Sequence, residues 1–281
     1  MTRPTKLVLT GAAGRLGSYL REPLSQMCDV LLSSDLAPDI GRLYPGEQYQ
    51  RADLATFDQV NALMEGADMV VHFGAVGDEA PFDAILGPNI IGAYNVWQAA
   101  HQHRVRRVVY ASSIHAVGMY PKTDFIGTDV PHRPDTFYGL AKCFAEDLAS
   151  LYWDKCGLEA VCLRILSCAP VSNPRAVGTW LSYPDLVHLV TRAIDTPVTG
   201  FSVIYGVSAN DRAPVDNARA SHLGYRPRDN AEQFAEAEFA KAGPQDPRDL
   251  GVMCHGGPFA TVPLGQSGIA ALNLRGDGKT S

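Results

Sequence analysis

Short, uninterrupted apolar runs separated by stretches of helical periodicity constrain this chain more than any other feature. Candidate strands fall at Lys6–Thr10, Val30–Ser33, Gln48–Arg51, Met69–Phe73, Arg107–Ala111 and Ala160–Ile165. Between them lie candidate helices at Arg15–Met27, Phe57–Glu65, Phe82–His101 and Thr136–Cys156. The runs are apolar throughout and do not alternate, the pattern of parallel strands buried on both faces. With short crossovers, that alternation gives an α/β fold, a doubly wound parallel sheet between two layers of helices. After residue 166 the rhythm breaks at prolines 170, 174, 184 and 197. One further strand, Phe201–Gly206, and helices near Pro184–Asp195, Val215–Leu223 and Asn230–Ala242 are expected there. The chain thus divides into a sheet domain over 1–166, a small C-terminal portion over 167–267, and a polar, glycine-rich tail over 268–281 expected to be flexible.

Composition narrows the partners. Hydrophobic residues make up 46% of the 281 residues and charged residues 19%, which excludes a disordered chain. A net charge of −6 provides no basic field for nucleic acid or anionic lipid. Apolar runs such as Leu7-Val8-Leu9 are far below the ~20 residues that span a bilayer. Met1–Lys6 does not read as a secretory leader. The six cysteines contain no C-x-x-C pair and no ligand spacing with histidine, so neither a disulfide framework nor a metal site is expected. A soluble, cytoplasmic protein acting on a small molecule is the reading.

The segment from Leu7 to Gly17 reads as strand, tight turn and helix start, with Gly11, Gly14 and Gly17 spaced G-x-x-G-x-x-G and Arg15 and Leu16 opening the helix. Such glycines let backbone approach a pyrophosphate, and the helix N-terminus offers unpaired N–H groups. Alone the motif is weak, because glycine turns also serve packing. Here the second strand ends in Asp35-Leu36, 18 residues after Gly17, where a carboxylate can bond ribose hydroxyls. Asp35 would also repel a 2′-phosphate, favouring NAD over NADP, although Arg15 and Arg42 are nearby cations. The third strand closes on Asp53-Leu54, where an acid can reach an adenine amino group, and the fourth on Phe73-Gly74-Ala75, small enough for a cofactor to lie on backbone. Each could be a plain strand end; together at one sheet edge they fit a dinucleotide in a Rossmann-type fold.

The fifth strand ends in Ser112-Ser113, and Tyr138-Gly139-Leu140-Ala141-Lys142 begins 25 residues after Ser113. Tyr138 and Lys142, at i and i+4, share one helix face. An ammonium beside a phenol lowers its pKa from ~10 and makes it a usable general base. Ser113 can then bond the oxygen that loses its proton.

With these residues the chain resembles the extended short-chain dehydrogenase/reductase family, also called the NAD-dependent epimerase/dehydratase family, over about residues 5–170. Asn89-Ile90-Ile91-Gly92-Ala93-Tyr94-Asn95 is similar to its Asn-x-x-Gly-Thr-x-Asn helix and brings Asn89 into the cofactor set. The resemblance implies that Ser113 orients the substrate oxygen, Tyr138 moves the proton and Lys142 also holds the nicotinamide ribose. It implies that 1–166 is the NAD-binding part and 167–267 the substrate part. The likeness extends to the uronate dehydrogenases of that family, through Arg164–Cys168, Gly178–Ser182, Tyr205–Asp211, Leu223–Ala231 and Gly256-Gly257-Pro258-Phe259. What it implies is C1 oxidation of cyclic galacturonate or glucuronate with NAD to an aldarolactone, by a homo-oligomer. Ser167 and Arg175 take the family's hydroxyl and carboxylate contacts; alternatively Arg175 is a solvated loop residue.

Two departures bear on the substrate. Ile114 stands where the family has an amide, in Ser113-Ile114-His115, and Gly77 stands where it has a serine. An unmet sugar hydroxyl in a closed site costs about 1–3 kcal/mol, so these substrate-side changes should reshape sugar choice. His115 could donate to a sugar oxygen or be a structural loop histidine. Asp78 could point inward and repel a uronate, or pair with Arg175 and favour a neutral sugar. Competing readings are a nucleotide-sugar epimerase or dehydratase with tightly held NAD, disfavoured by the short C-terminal portion, and a non-catalytic NAD-sensing scaffold, disfavoured by the intact Ser113, Tyr138 and Lys142.

Overall fold

The computed structural model describes residues 3–271. Its centre is a seven-stranded parallel sheet in the order β3-β2-β1-β4-β5-β6-β7. The strands are β1 (Lys6–Thr10), β2 (Val30–Asp35), β3 (Glu47–Arg51), β4 (Met69–His72), β5 (Arg107–Ser113), β6 (Glu159–Ile165) and β7 (Phe201–Gly206). The apolarity of the inner strands has the expected cause, whereas β3 lies at the sheet edge and is polar and partly exposed. In β1, Leu7 and Leu9 enter the core on one face and Val8 the core on the other; in β5, Val109 faces the first and Val108 the second. The chain moves outward from β1 to β3, then returns to place β4 on the other side of β1. That reversal opens a crevice at the carboxyl ends of β1 and β4, where ligands bind in this architecture.

The helices are α1 (Arg15–Ser25), α2 (Phe57–Met64), α3 (Phe82–Ile85), α4 (Gly92–Gln102), α5 (Phe137–Cys156), α6 (Pro174–Thr179) and α7 (Tyr183–Asp195). The continuous helix expected over Phe82–His101 is interrupted by a π-helical turn at Leu86–Ile91. Pro88 lies inside it, and a proline can neither donate to nor fit a regular helical turn. The helix expected at Val215–Leu223 shrinks to a 3₁₀ turn, Ala218–Leu223. Val215 instead forms a bridge with Ile126, and the Asn217 side chain bonds both N–H and C=O of Tyr205 at 2.9 and 2.8 Å. Asn230–Ala242 divides into a 3₁₀ turn, Ala231–Phe234, and a helix, Ala235–Ala242. Helix α6 was not anticipated, although Asn173 before Pro174 is a helix-start signal: the Asn173 side chain accepts from Ala176 N at 2.9 Å. Of the segment expected as a tail, Gly268–Ala271 is a helical turn, and 272–281 lie outside the described residues. Among the described residues no helix is long and apolar enough to cross a membrane.

Helix α5 is fixed to the sheet through one buried acid, Glu146, which is 1% exposed. It accepts from Arg164 of β6 at 2.7 Å, from His132 at 2.8 Å and from Ser112 of β5. Burial alone would raise its pKa, but the hydrogen bonds from His132, Arg164 and Ser112 outweigh that and hold the carboxyl below its ordinary value. Glu146→Ala leaves Arg164 buried with neutral acceptors alone, the Thr128 carbonyl at 3.2 Å and the Tyr205 phenol oxygen. Removing one partner of such a pair costs about 3–5 kcal/mol, so urea denaturation should read a loss of that size, and a smaller one when Arg164 is also replaced by Met.

Candidate active site

The crevice between β1 and β4 is a cavity of about 380 Å³ reached by Gly11, Gly14, Asp35, Asp53, Leu54 and Phe73, with Leu36, Gly74 and Ala75 also on its wall. Gly11 has φ +75°, and a Cβ there would sit 2.6 Å from the Phe73–Gly74 backbone. A Cβ on Gly17 would lie 2.0 Å from the Gly11 carbonyl oxygen. Side chains at either position would push helix α1 off the sheet edge and fill the cradle. Asp35 accepts from Ala13 N at 2.9 Å and Ala37 N at 3.2 Å, so its carboxylate is fixed beside the glycine turn. Asp53 accepts from Ala55 N at 2.9 Å. Arg15 is exposed on the first turn of α1 with Leu16 beside it. Asn89 is placed differently from the other cofactor candidates. Its amide accepts from Val76 N at 2.8 Å and donates to Val76 O at 3.0 Å, so it shapes the loop after β4 instead of presenting its amide to the cavity.

At the inner end, Ser113 leaves β5 and Tyr138 begins α5. The N-cap Thr136 starts that helix by accepting from Gly139 N at 2.9 Å, and Tyr138 N donates to Glu79 at 2.9 Å. The Ser113 hydroxyl is bonded to the Tyr138 phenol. Lys142 Nζ lies 5.2 Å from the Tyr138 ring centre and donates to Ala111 O at 2.7 Å. The constellation is therefore assembled, but its electrostatics differ from the sequence expectation. Burial pushes the Tyr138 phenol up to about 12, with the Ser113 bond opposing and the carboxylates of Asp135 and Asp78 adding to the rise. The same burial pushes Lys142 down to about 7, against the pull of Glu146. Desolvation penalises both charged forms here, so the lysine does not by itself bring the phenol into range.

On the far side of Tyr138 the structure gathers residues from three distant segments. Arg175, in the first turn of α6, donates to Ser167 Oγ and to His255 O, each at 2.9 Å. Among the described residues it has no carboxylate within ion-pair distance, and its Nε is buried without a partner. Burial lowers its pKa to about 10, with Asp135 opposing, which leaves it charged at neutral pH. It is not a solvated loop residue. Asp78 does not pair with it: Asp78 accepts from Ser267 Oγ, from Gly268 N at 3.0 Å and from Ile269 N at 3.2 Å. Gly77 is exposed beside it. Ile114, expected on the substrate side, is fully buried in an apolar cluster with Val117, Ile126, Leu166 and Tyr205. It is a core residue because the 3₁₀ turn after β5 points it inward. His115 packs against Phe259 with ring centres 4.5 Å apart and against Tyr138 at 5.8 Å.

Phe259, Glu79 and Asp135 belong to this site and were not singled out from sequence. Glu79 is buried and bridges Tyr138 N to Gly265 N, at 2.9 and 2.8 Å, tying the C-terminal segment to the start of α5. The Gly256–Phe259 resemblance was the available signal for Phe259. The other two make contacts too distant in sequence to be read.

The sequence matches the NAD dependent epimerase/dehydratase family over residues 7–174. It is 44% identical over 258 residues to a uronate dehydrogenase of Pseudomonas putida, covering 92% of this chain and 96% of the relative. Among solved structures it is similar to glucuronic acid dehydrogenase from Chromohalobacter salexigens, at 41% identity and TM-score 0.89 over 92% of this chain and 98% of that one. It is also similar to a mutant uronate dehydrogenase from Agrobacterium tumefaciens complexed with NAD, at 43% identity and TM-score 0.87 over 92% and 98%.

Any reaction that uses the Tyr138 phenolate should rise with pH. Ser113 holds that phenol's pKa down, so Ser113→Ala raises it and moves the rise in kcat to higher pH while lowering the rate at neutrality. A pH–rate profile in which the variant's acid limb coincides with that of the parent would contradict this reading.

Proposed function

Because the chain belongs to the NAD-dependent epimerase/dehydratase family and, within it, to the uronate dehydrogenases, we propose that it oxidises C1 of a cyclic hexuronate with NAD to the aldarolactone. The observation that carries the substrate class is Arg175, a charged guanidinium that bonds Ser167 Oγ and His255 O, makes no direct ion pair among the described residues and keeps its Nε unpartnered, with Asp135 acting on it only through space. A planar fork of donors fits a carboxylate, and Ser167 Oγ beside it offers a partner for a neighbouring hydroxyl.

With the uronate carboxylate at Arg175, the anomeric carbon lies toward Tyr138. Ser113 orients the C1 oxygen, Tyr138 accepts its proton, and Lys142 holds the ribose hydroxyls while its charge favours the phenolate. NAD supplies the two-electron acceptor that takes the C1 hydrogen with its bonding pair. Gly11, Gly14 and Gly17 let the pyrophosphate approach the N-terminus of α1, flanked by Arg15 and Leu16. Asp35 takes the adenosine ribose hydroxyls and disfavours a 2′-phosphate. Leu36, Asp53 and Leu54 surround the adenine, and Phe73-Gly74-Ala75 with the loop anchored by Asn89 support the rest of the dinucleotide.

The same reading makes residues 1–166 the NAD-binding part and 167–267 the substrate part. A cytoplasmic homo-oligomer is the expected form. Five of the six free cysteines are buried, which suits a reducing compartment, and Tyr94 of α4 with Leu140 and Leu151 of α5 are exposed apolar residues that a second copy could cover.

Arg175→Ala tests the substrate class. Loss of a charge-assisted pair worth ~1.5–3 kcal/mol should raise KM for galacturonate by roughly one to two orders of magnitude. Galactose turnover, followed by NADH absorbance, should change little. Equal loss on acid and neutral sugar would remove the carboxylate assignment.

A further inference from the structure

Beside Tyr138 sits a second pair of titratable groups that the proposed reaction does not yet use. His115 Nδ1 and Asp135 Oδ2 are 2.8 Å apart, with the carboxylate completely buried and the imidazole 12% exposed. The other carboxylate oxygen accepts from Thr136 Oγ1 at 2.9 Å. The carboxylate reaches this position because two glycines leave room for it. A Cβ on Gly118 would lie 2.0 Å from Asp135 Oδ2, and one on Gly256 would lie 1.8 Å from it. Those glycines are joined by Gly256 N donating to Gly118 O at 2.8 Å, while Arg133 N donates to Ala116 O at 2.9 Å. Three separate segments thus close around one acid.

An ionised carboxylate only accepts, so the shared proton resides on Nδ1 of His115. With that proton on Nδ1, the uncharged form of the ring presents Nε2 as an acceptor. Among the described residues Nε2 has no hydrogen-bond partner, and the ring is held by Phe259 on one side and the edge of Tyr138 on the other. We propose that Asp135 is a positioning residue that locks His115 in this tautomer, so that Nε2 accepts a hydrogen bond from the sugar hydroxyl on the carbon next to the one oxidised. This rests on the hexuronate reading, which puts the reacting carbon at Tyr138 and the neighbouring hydroxyl within reach of the adjacent ring. It makes His115 an acceptor where a donor was expected from sequence, and it assigns a function to the unsubstituted Gly118 and Gly256.

Asp135→Asn is close to isosteric but has an amide that can donate to Nδ1, which moves the ring proton to Nε2 and turns the acceptor into a donor. The parent should prefer galacturonate over its 2-deoxy analogue by about tenfold in kcat/KM, the range of one hydrogen bond. His115→Phe should erase that preference, Asp135→Asn should reduce it because the hydroxyl must turn round to accept from Nε2, and the double variant should lose nothing beyond His115→Phe. Gly118→Ala, at an ordinary backbone φ of −61°, displaces the carboxylate without changing either group and should act in the same direction. Nitrogen-15 NMR of the ligand-free protein should place the His115 proton on Nδ1 in the parent and on Nε2 in Asp135→Asn. A variant that keeps the full preference, that lowers both sugars alike, or whose ring proton does not move would overturn the assignment. A parent inactive on both acids while its proton sits on Nδ1 would instead count against the hexuronate reading alone.

Discussion

Everything that happens at Tyr138 depends on Glu146, a carboxylate with no access to water. It lies one helical turn beyond Lys142 on α5 and reaches across to Ser112 of β5 and Arg164 of β6. A helix packed on a sheet by apolar contacts alone can slide by a fraction of an ångström at little cost. Charge-assisted hydrogen bonds to two neighbouring strands define its register. With α5 so placed, the Tyr138 phenol meets Ser113 at the end of β5 and Lys142 reaches the Ala111 carbonyl. The arrangement has an electrostatic consequence as well, because Glu146 is the group that most opposes the loss of charge on buried Lys142.

The sugar side is held by a different device. Asp78 and Glu79, both in the loop after β4, are used on the C-terminal segment: Asp78 on residues 267–269, and Glu79 on Gly265. The loop that follows the dinucleotide crevice is therefore joined to the segment that carries Phe259 and the His255 carbonyl of Arg175. The crevice between β1 and β4 and the surface proposed for the sugar are joined at these two acids. The consumption of Asp78 in this latch keeps it from pairing with Arg175, on which the Asp135 carboxylate acts only through space and whose Nε is left without an acceptor.

The parallel sheet was legible because burial on both faces leaves a mark on the inner strands, though not on the polar edge strand β3, and the Gly11–Gly17 turn because its spacing is local. Tyr138 and Lys142 were legible for the same reason, being one helical turn apart. The phenol's elevated pKa was not, since desolvation is a property of the whole fold and not of the pair. Ile114 was misplaced because a turn outside a regular element has no period from which its inward direction could be read. The latch and the His115–Asp135 pair join residues distant in sequence, Asp78 and Ser267 being separated by 189 positions, and a single sequence carries no signal for such contacts. Pro88 and Asn173-Pro174 did carry local signals, of the π turn and of α6 respectively.

The proposed reaction is a net transfer of hydrogen from C1 of a hexuronate to NAD. Galacturonate deuterated at C1 and labelled with carbon-13 at the same carbon tests it in one reaction. Deuterium should appear in the reduced nicotinamide in equal amount to the sugar consumed, and the carbon-13 resonance should become that of a lactone carbonyl. Deuterium still on the sugar at the end, or an altered ring centre with the cofactor oxidised as at the start, would contradict it.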